Sequence, residues 1–295
     1  MTALQYEVFV TPAIAQSSGI LNLPNGDPMV WSPISTTLIY GEQDAVLVDP
    51  PFTTDTTREV LAWIQKTGRN LTEIYVTHGH GDHWLGAPVL LEHFPDAVVR
   101  ATAGTKAHMA GLATPESRGP FWDALFPGRI PTATVDVQVV GEGGLSLEGK
   151  PLIPIEVGHS DSDDTTVLWV PSLKLAVVGD VVYNGVHLAL AESAGGGRAA
   201  WRRALDQVEA LGAEFVVAGH KDPDRADDPA EIGRTRRYID DADRLLQGSP
   251  APTAFFDGML SLHSERINPG VLWFSGGARS GGGAAARGGG VGRGG

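Results

Sequence analysis

The chain has 295 residues, enough for one large domain or two small ones around a substantial core. Its 42% hydrophobic and 19% charged residues are those of a soluble globular protein, and a formal charge of -13 argues against a surface that neutralises phosphates or docks on anionic lipid. The absence of cysteine excludes disulfides, iron–sulfur clusters and thiolate zinc sites.

Residues 1–20 carry Glu7 and no lysine or arginine ahead of their apolar positions, so they do not read as a secretory signal. No apolar run approaches the length that spans a bilayer, and the cytoplasm is the expected setting. Residues 7–10 read as an opening strand closed by Pro12, and 19–33 as a loop with a turn at Asn25-Gly26. Residues 35–40 and 45–48 flank Gly41-Glu42-Gln43-Asp44 in a hairpin pattern, and Asp49-Pro50-Pro51 ends the second strand. Helical spacing over 54–66 puts Val60, Leu61 and Ile64 on one face. A strand over 73–77 follows, then a helix over 85–94 whose first turn carries Asp82 and His83.

Thr77-His78-Gly79-His80-Gly81-Asp82-His83 is the densest chemical signal in the chain. Imidazoles and carboxylates are the donors that a first-row divalent ion such as zinc takes. A single histidine here would read as a satisfied surface or core residue; four donors within six residues do not. So short a loop cannot aim all four at one tetrahedral ion. It can share them between two, His78 and His80 on one and Asp82 and His83 on the other. Gly79 and Gly81 permit the tight path this alternation needs.

A short strand at 98–100 and a helix around 106–111 come next. Residues 112–133 are irregular and proline-bearing, with Phe121, Trp122, Leu125 and Phe126 available either to cap a substrate pocket or to cover the core. The second half then repeats one pattern three times: an apolar strand, a glycine and a metal-capable side chain, ending in Gly158-His159, Gly179-Asp180 and Gly219-His220. Ligands of layered α/β sheets gather at strand ends, so these three side chains are expected on one rim beside the first cluster. Residues 165–170 and 173–178 form a further hairpin around Pro171-Ser172. Helices are expected over 198–211, 229–246 and 251–264. Strands and helices alternate, which predicts a layered α/β (α+β) fold. A domain over 1–272 is expected, followed at 276–295 by a Gly/Arg-rich tail with eleven glycines and three arginines and little to bury, hence disordered. Its resemblance to RNA-binding Arg-Gly tails is superficial, since it has no aromatics.

With these donors in order, residues 5–272 resemble the metallo-β-lactamase-fold hydrolase superfamily, and are closest in character to its lactonase and glyoxalase II-like members. The resemblance implies an αββα four-layer sandwich with a binuclear metal site at the sheet edges. It implies that His78, His80 and His159 hold one ion, that Asp82, His83 and His220 hold the other, and that Asp180 bridges them. The position of Asp180 is a cysteine in the B1 and B2 antibiotic-destroying members, which this cysteine-free chain does not match. Asp180-Val-Val-Tyr183 is similar to the acyl-homoserine lactonases, in which such a tyrosine orients the lactone carbonyl; Tyr183 is equally readable as a core or rim residue. His187 and Trp122 are further candidates for the substrate pocket, whereas His93, His108 and His263 read as structural.

The implied reaction is attack of a metal-bridging hydroxide on an ester-type bond, a lactone or carboxylic ester, by two ions about 3.5–4 Å apart. Asp82 would shuttle the proton to the leaving group and Tyr183 would face the developing oxyanion. The alternatives are a thioester hydrolase of glyoxalase II type, a β-lactamase-like hydrolase, an iron-dependent redox member and a non-catalytic metal-loaded scaffold. Two divalent ions, zinc first with manganese, cobalt or iron open, and a small-molecule substrate are the expected partners. Nucleic acid and membrane are not, and a homodimer is compatible with the sequence.

Overall fold

A computed structural model describes residues 3–17 and 22–277. In chain order the strands and helices are β1 (Gln5–Val10), β2 (Ile14–Ala15), β3 (Val30–Trp31), β4 (Ser35–Tyr40), β5 (Asp44–Val48), α1 (Thr54–Thr67), β6 (Asn70–Tyr75), α2 (Ala87–Leu91), β7 (Val98–Ala101), α3 (Ala103–Leu112) and α4 (Pro115–Arg118). They continue with β8 (Val137–Val139), β9 (Leu145–Leu147), β10 (Lys150–Gly158), β11 (Thr165–Val170), β12 (Leu175–Val177), β13 (Tyr183–Asn184), α5 (Gly197–Ala210), β14 (Phe215–Val217), β15 (His220–Lys221), α6 (Ala230–Leu246), α7 (Pro252–Leu262) and α8 (Gly270–Gly277).

The strands form a six-stranded sheet in the order β1-β4-β5-β6-β7-β8 and a five-stranded sheet in the order β14-β12-β11-β10-β9. Side chains alternate across each pleat, and both faces of both sheets are apolar. Leu38, Leu47 and Ile74 pack under α1 with its buried Val60, Leu61 and Ile64. Their neighbours Ile39, Val46 and Tyr75 turn the other way, onto Leu168, Leu175, Val177 and Val217 of the second sheet. Val167, Ala176 and Val216 point outward to Trp201, Leu205, Tyr238 and Phe256 of α5, α6 and α7. Three apolar layers between four structural layers give the α/β, αββα sandwich that the sequence predicts. The two sheets are also joined at their edges, where Thr166 donates both its amide and its hydroxyl to the Thr77 carbonyl, at 2.9 and 2.7 Å.

Both hairpins are present: β4 pairs with β5, and β11 with β12 through a turn at Pro171–Leu173. Three expectations need correction. The helix over 85–94 is shorter, running Ala87–Leu91, and Asp82 and His83 lie ahead of it in a separate 3-10 turn, Gly81–His83. Gly81 cannot carry a Cβ, which would lie 2.6 Å from Leu85 and 2.7 Å from Trp122, so the turn is pressed onto the core. Residues 112–133 hold α4 and a π-helical turn at Gly119–Asp123. The domain does not end at 272: α8 continues to Gly277, with Leu272 fully buried and Trp273 edge-on to Phe256. Beyond Gly277 the expected tail lies outside the described residues.

Candidate metal centre

Six of the seven expected ligands meet where β6, β12 and β14 end. His78 to His83 leave the end of β6, Asp180 follows β12, and His220 follows β14. The pairing of β12 with β14 is parallel and in register, Val177 opposite Val217, so the same Gly-plus-ligand ending comes out on adjacent strands. Gly179 has a positive φ of 48°, and a Cβ on Gly219 would fall 2.3 Å from Asp180 Oδ1. The strand-end glycines are therefore what let the two strands deliver their side chains so close together.

Three overlapping groups of donors result, one of them Asp49, His78 and His83, whose two histidines also belong one to each of the remaining groups. Asp82, His83 and His220 form one, their candidate ligand atoms all within 4.8 Å of one another. His78, His80, Asp161 and Asp180 form the other by the same measure. Asp180 lies between them: Oδ1 is 3.4 Å from His83 Nε2, and Oδ2 is 3.3 Å from His220 Nε2. His220 Nε2 is also 3.2 Å from Asp82 Oδ2.

Outer partners fix which nitrogen each ring presents. His220 Nδ1 donates to the Pro33 carbonyl at 2.8 Å, which turns Nε2 inward. Thr77 Oγ1 gives its proton to Asp49 Oδ2 at 2.6 Å, so at 3.0 Å it accepts from His78 Nδ1, leaving His78 Nε2 as a free lone pair. His80 Nε2 faces Glu192 at 3.3 Å, leaving Nδ1 for the centre. This is the outer-sphere arrangement that metal-binding histidines use. His78 Nε2, His83 Nε2, Asp161 Oδ2 and Asp180 Oδ1 are all buried without a hydrogen bond. Each such atom costs about 1–3 kcal/mol if left alone, and a divalent cation among them relieves the whole set. The donors fit a metal.

The profile of the metallo-beta-lactamase superfamily matches residues 29–220, which include all of these donors. The chain belongs to that superfamily. Its members are metal-dependent hydrolases, and the donors described above are the candidate metal ligands of this one. A hydroxyacylglutathione hydrolase from Francisella philomiragia is 41% identical over 159 residues, 52% of this chain and 51% of that protein. A ribonuclease Z from Thermobifida fusca is 29% identical over 126 residues, covering 43% of this chain and 33% of the relative. The chain thus spans between a third and about half of the curated relatives it matches here. Among solved structures, a metallo-beta-lactamase from Pontibacter korlensis superposes with a TM-score of 0.58 at 18% identity, over 81% of this chain and 95% of that one. Another from Hirschia baltica gives 0.53 at 20% identity, over 80% and 93%. At such identities the likeness is one of fold.

Electrostatics in this superfamily member's centre are those of tightly paired opposite charges. Burial disfavours the charged form of His83, but Asp82, Asp180 and Asp49 outweigh it and raise its pKa to about 9. Burial likewise opposes charge on His220 and His80, yet the Asp180 carboxylate lifts the first and Asp161 the second well above the usual imidazole range. Burial keeps His78 neutral, with the neighbouring His83 charge adding to the effect. Against the cost of burial, His83 and His220 hold the Asp82 carboxyl well below its ordinary value, and His220 and His83 do the same for Asp180. Cation binding must displace protons from these imidazoles, so it releases protons and strengthens as pH rises.

The remaining expected residues sit as follows. His159 is in none of the donor groups: its Nδ1 is 2.6 Å from Asp163 Oδ1 and its Nε2 is 3.3 Å from Ser193 Oγ. Its strand, β10, is separated from β12 by β11, and its register slips between Glu156 and Gly158. Tyr183 does converge on the centre, but its hydroxyl donates to Asp180 Oδ2 at 2.6 Å and its ring stacks on His220. His187 is fully buried against Tyr238, whose hydroxyl lies 2.9 Å from Nδ1, and shows no face to solvent. Trp122 is buried in an aromatic group with Trp31 and Phe52, at 5.1 and 5.5 Å. Of the histidines read as structural, His263 contacts Asp241 and His108 lies edge-on to His80, 5.9 Å away.

Sequence reasoning missed three participants. Asp161 falls in the run Asp161-Ser162-Asp163-Asp164, where it has no distinguishing mark. Asp49 accepts the Thr77 amide at 2.8 Å and lies 3.4 Å from His83 Nδ1, but in sequence it only looks like a strand terminator before Pro50. Trp31 donates its indole N–H to Asp82 Oδ2 at 2.9 Å from within a stretch that reads as loop. Among the described residues, no helix is long and apolar enough to cross a membrane.

Proposed function

We propose that this chain is a binuclear metal-dependent hydrolase of ester-type bonds, with a lactone or carboxylic ester favoured. The observation that carries the reading is the position of Asp180, which belongs to the donor group of His78, His80 and Asp161 while its carboxylate oxygens lie 3.4 and 3.3 Å from His83 and His220 of the other. A carboxylate shared between two donor groups is what a pair of cations requires, and no thiolate competes in this cysteine-free chain. Zinc is the first candidate, on the His/Asp donor set, and a small molecule in a cytoplasmic setting is the expected substrate.

Divalent cations held by these residues would bring a water's pKa toward neutrality and polarise a carbonyl. The protein's own part is to orient and to manage protons. Trp31 fixes Asp82 Oδ2 through its indole N–H, which aims this carboxylate as the group that carries a proton to the leaving atom. Tyr183 spends its proton on Asp180, and so holds the shared carboxylate still. Its pKa is raised by burial and by the Asp180 charge, so the hydroxyl stays protonated across the working range. In this reading Tyr183 positions Asp180, and contact with an oxyanion would require it to leave that bond.

Thioester hydrolysis is the second reading, favoured by the 41% match to a hydroxyacylglutathione hydrolase. Elemental analysis of the isolated protein, followed by assays on lactones, aryl esters, a glutathione thioester, a phosphodiester and a chromogenic cephalosporin, separates the two. Two metal equivalents with lactone or ester turnover supports the first reading. Turnover of the thioester alone moves the assignment to the second, and a protein that binds no divalent metal ends both.

A further inference from the structure

We propose that Asp161, and not His159, completes the first cation site with His78, His80 and Asp180. The inference rests on the two-cation reading above and concerns which side chains hold the first ion. Asp161 is 2% exposed, and its Oδ2 is buried without a hydrogen bond. His80 Nδ1 lies 2.9 Å from that oxygen, which brings the two into one donor group. The buried and equally unpartnered His78 Nε2 and Asp180 Oδ1 belong to the same group. Three orphaned atoms and one available imidazole nitrogen, all within 4.8 Å of one another, make a four-donor site.

The backbone explains why the aspartate arrives there. Gly158 takes a φ of 86° just after the register of β10 slips, and the chain doubles back through a turn in which the Ser160 amide donates to the Ser162 carbonyl at 2.9 Å. The Ser160 hydroxyl lies 3.0 Å from Asp161 Oδ1, which leaves Oδ2 to turn inward. His159 is held on the other side of this turn. Both its nitrogens are occupied, by Asp163 and Ser193, and Gly197 at the start of α5 is packed so closely that a Cβ would lie 2.6 Å from Nε2. It braces the turn that presents Asp161. A site of two imidazoles and two carboxylates is harder and more anionic than one of three imidazoles, and should accept manganese or iron more readily.

The test uses the full chain, stripped of metal and titrated with Zn2+ against a chromophoric chelator, with Co2+ absorption spectra as a second readout. Wild type, Asp161→Asn and His159→Gln are compared, each checked for a folded circular dichroism spectrum, with Asp161→Glu as a second variant if Asp161→Asn does not fold. The expected result is at least a 100-fold weaker first site and an altered Co2+ spectrum for the Asp161 variant, with both equivalents and the wild-type spectrum kept by His159→Gln. Loss of an equivalent in His159→Gln, or two full-affinity equivalents in the Asp161 variant, overturns the proposal. Wild-type protein that binds no second ion refutes the two-cation reading instead, and that outcome is distinguishable because it needs no variant.

Discussion

Trp31→Phe tests whether the centre depends on its outer partners. The indole N–H donates to Asp82 Oδ2 at 2.9 Å, and the ring packs against Trp122, Phe126, Phe121 and Phe52 at 5.1–6.2 Å. Phenylalanine retains most of that packing and removes one hydrogen bond to a buried carboxylate. Such bonds contribute about 1.5–3 kcal/mol, which is roughly 10–100-fold in an equilibrium constant. The loss should fall on the cation held by Asp82, His83 and His220, leaving the site built on His78 and His80 close to wild type. Competition titration of the apoprotein resolves the two affinities, and thermal unfolding of the apo forms shows whether packing has also been lost. Unchanged affinity at both sites would refute the idea that this bond prepares Asp82. An equal loss at both sites would show that the aromatic group acts through global packing.

Asp180→Ala should lose at least one metal equivalent and most hydrolytic activity, because breaking a buried charged cluster costs about 3–5 kcal/mol; two retained equivalents with full turnover would exclude its shared role. Asp49→Asn should weaken both sites at once, since Asp49 accepts from Thr77, which orients His78, and lies beside His83, and so touches a ligand of each site; elemental analysis after dialysis against a weak chelator reports it. His187 gives a pH test removed from the ligands. Burial, then the nearby Arg266 and His263, push its pKa down from 6.5 to about 3. The unfolded chain therefore binds a proton that the folded chain refuses: stability is intact above pH 6.5, falls as pH drops, and has lost this contribution fully below about 3. At pH 5 the penalty is about 2 kcal/mol, and urea melts of wild type against His187→Gln at pH 5 and 7.5 should show the variant losing that much less. Parallel pH dependence in the two proteins would contradict the buried, neutral assignment.

Where the chemistry is local, the sequence suffices. His78, His80, Asp82 and His83 occupy one loop, so their convergence needs no knowledge of how sheets pair. Asp180 and His220 are distant in sequence, yet their shared strand-Gly-ligand pattern means what it suggests because β12 and β14 are parallel neighbours in register. Gly158-His159 has the same pattern and a different outcome, since β10 stands beyond β11 and slips its register before the glycine. Periodicity found α1 through Val60, Leu61 and Ile64, but could not find α8, whose Val271-Leu272-Trp273-Phe274 run has no polar face to mark a period. Trp31 and Asp49 were illegible for a simpler reason: their roles are hydrogen bonds to residues 51 and 28 positions away, which leave no local trace.

Asp49 and its partner Thr77 also explain how a rigid fold and a highly charged centre coexist. Asp49 follows the end of β5 with a positive φ of 54°, a left-handed conformation that aspartate tolerates better than most residues. Its carboxylate takes both the amide and the hydroxyl of Thr77, and that hydroxyl orients His78. The Thr77 carbonyl, in turn, receives Thr166 from the second sheet, whose hydroxyl also meets Tyr75 at 2.7 Å within the layer between the sheets. One residue thus ties a ligand's tautomer, the end of the first sheet and the join to the second. Loosening the sandwich at this edge would misorient His78 before it unfolded the protein, so metal affinity should be the first property that mutations along the Tyr75–Thr166 seam disturb.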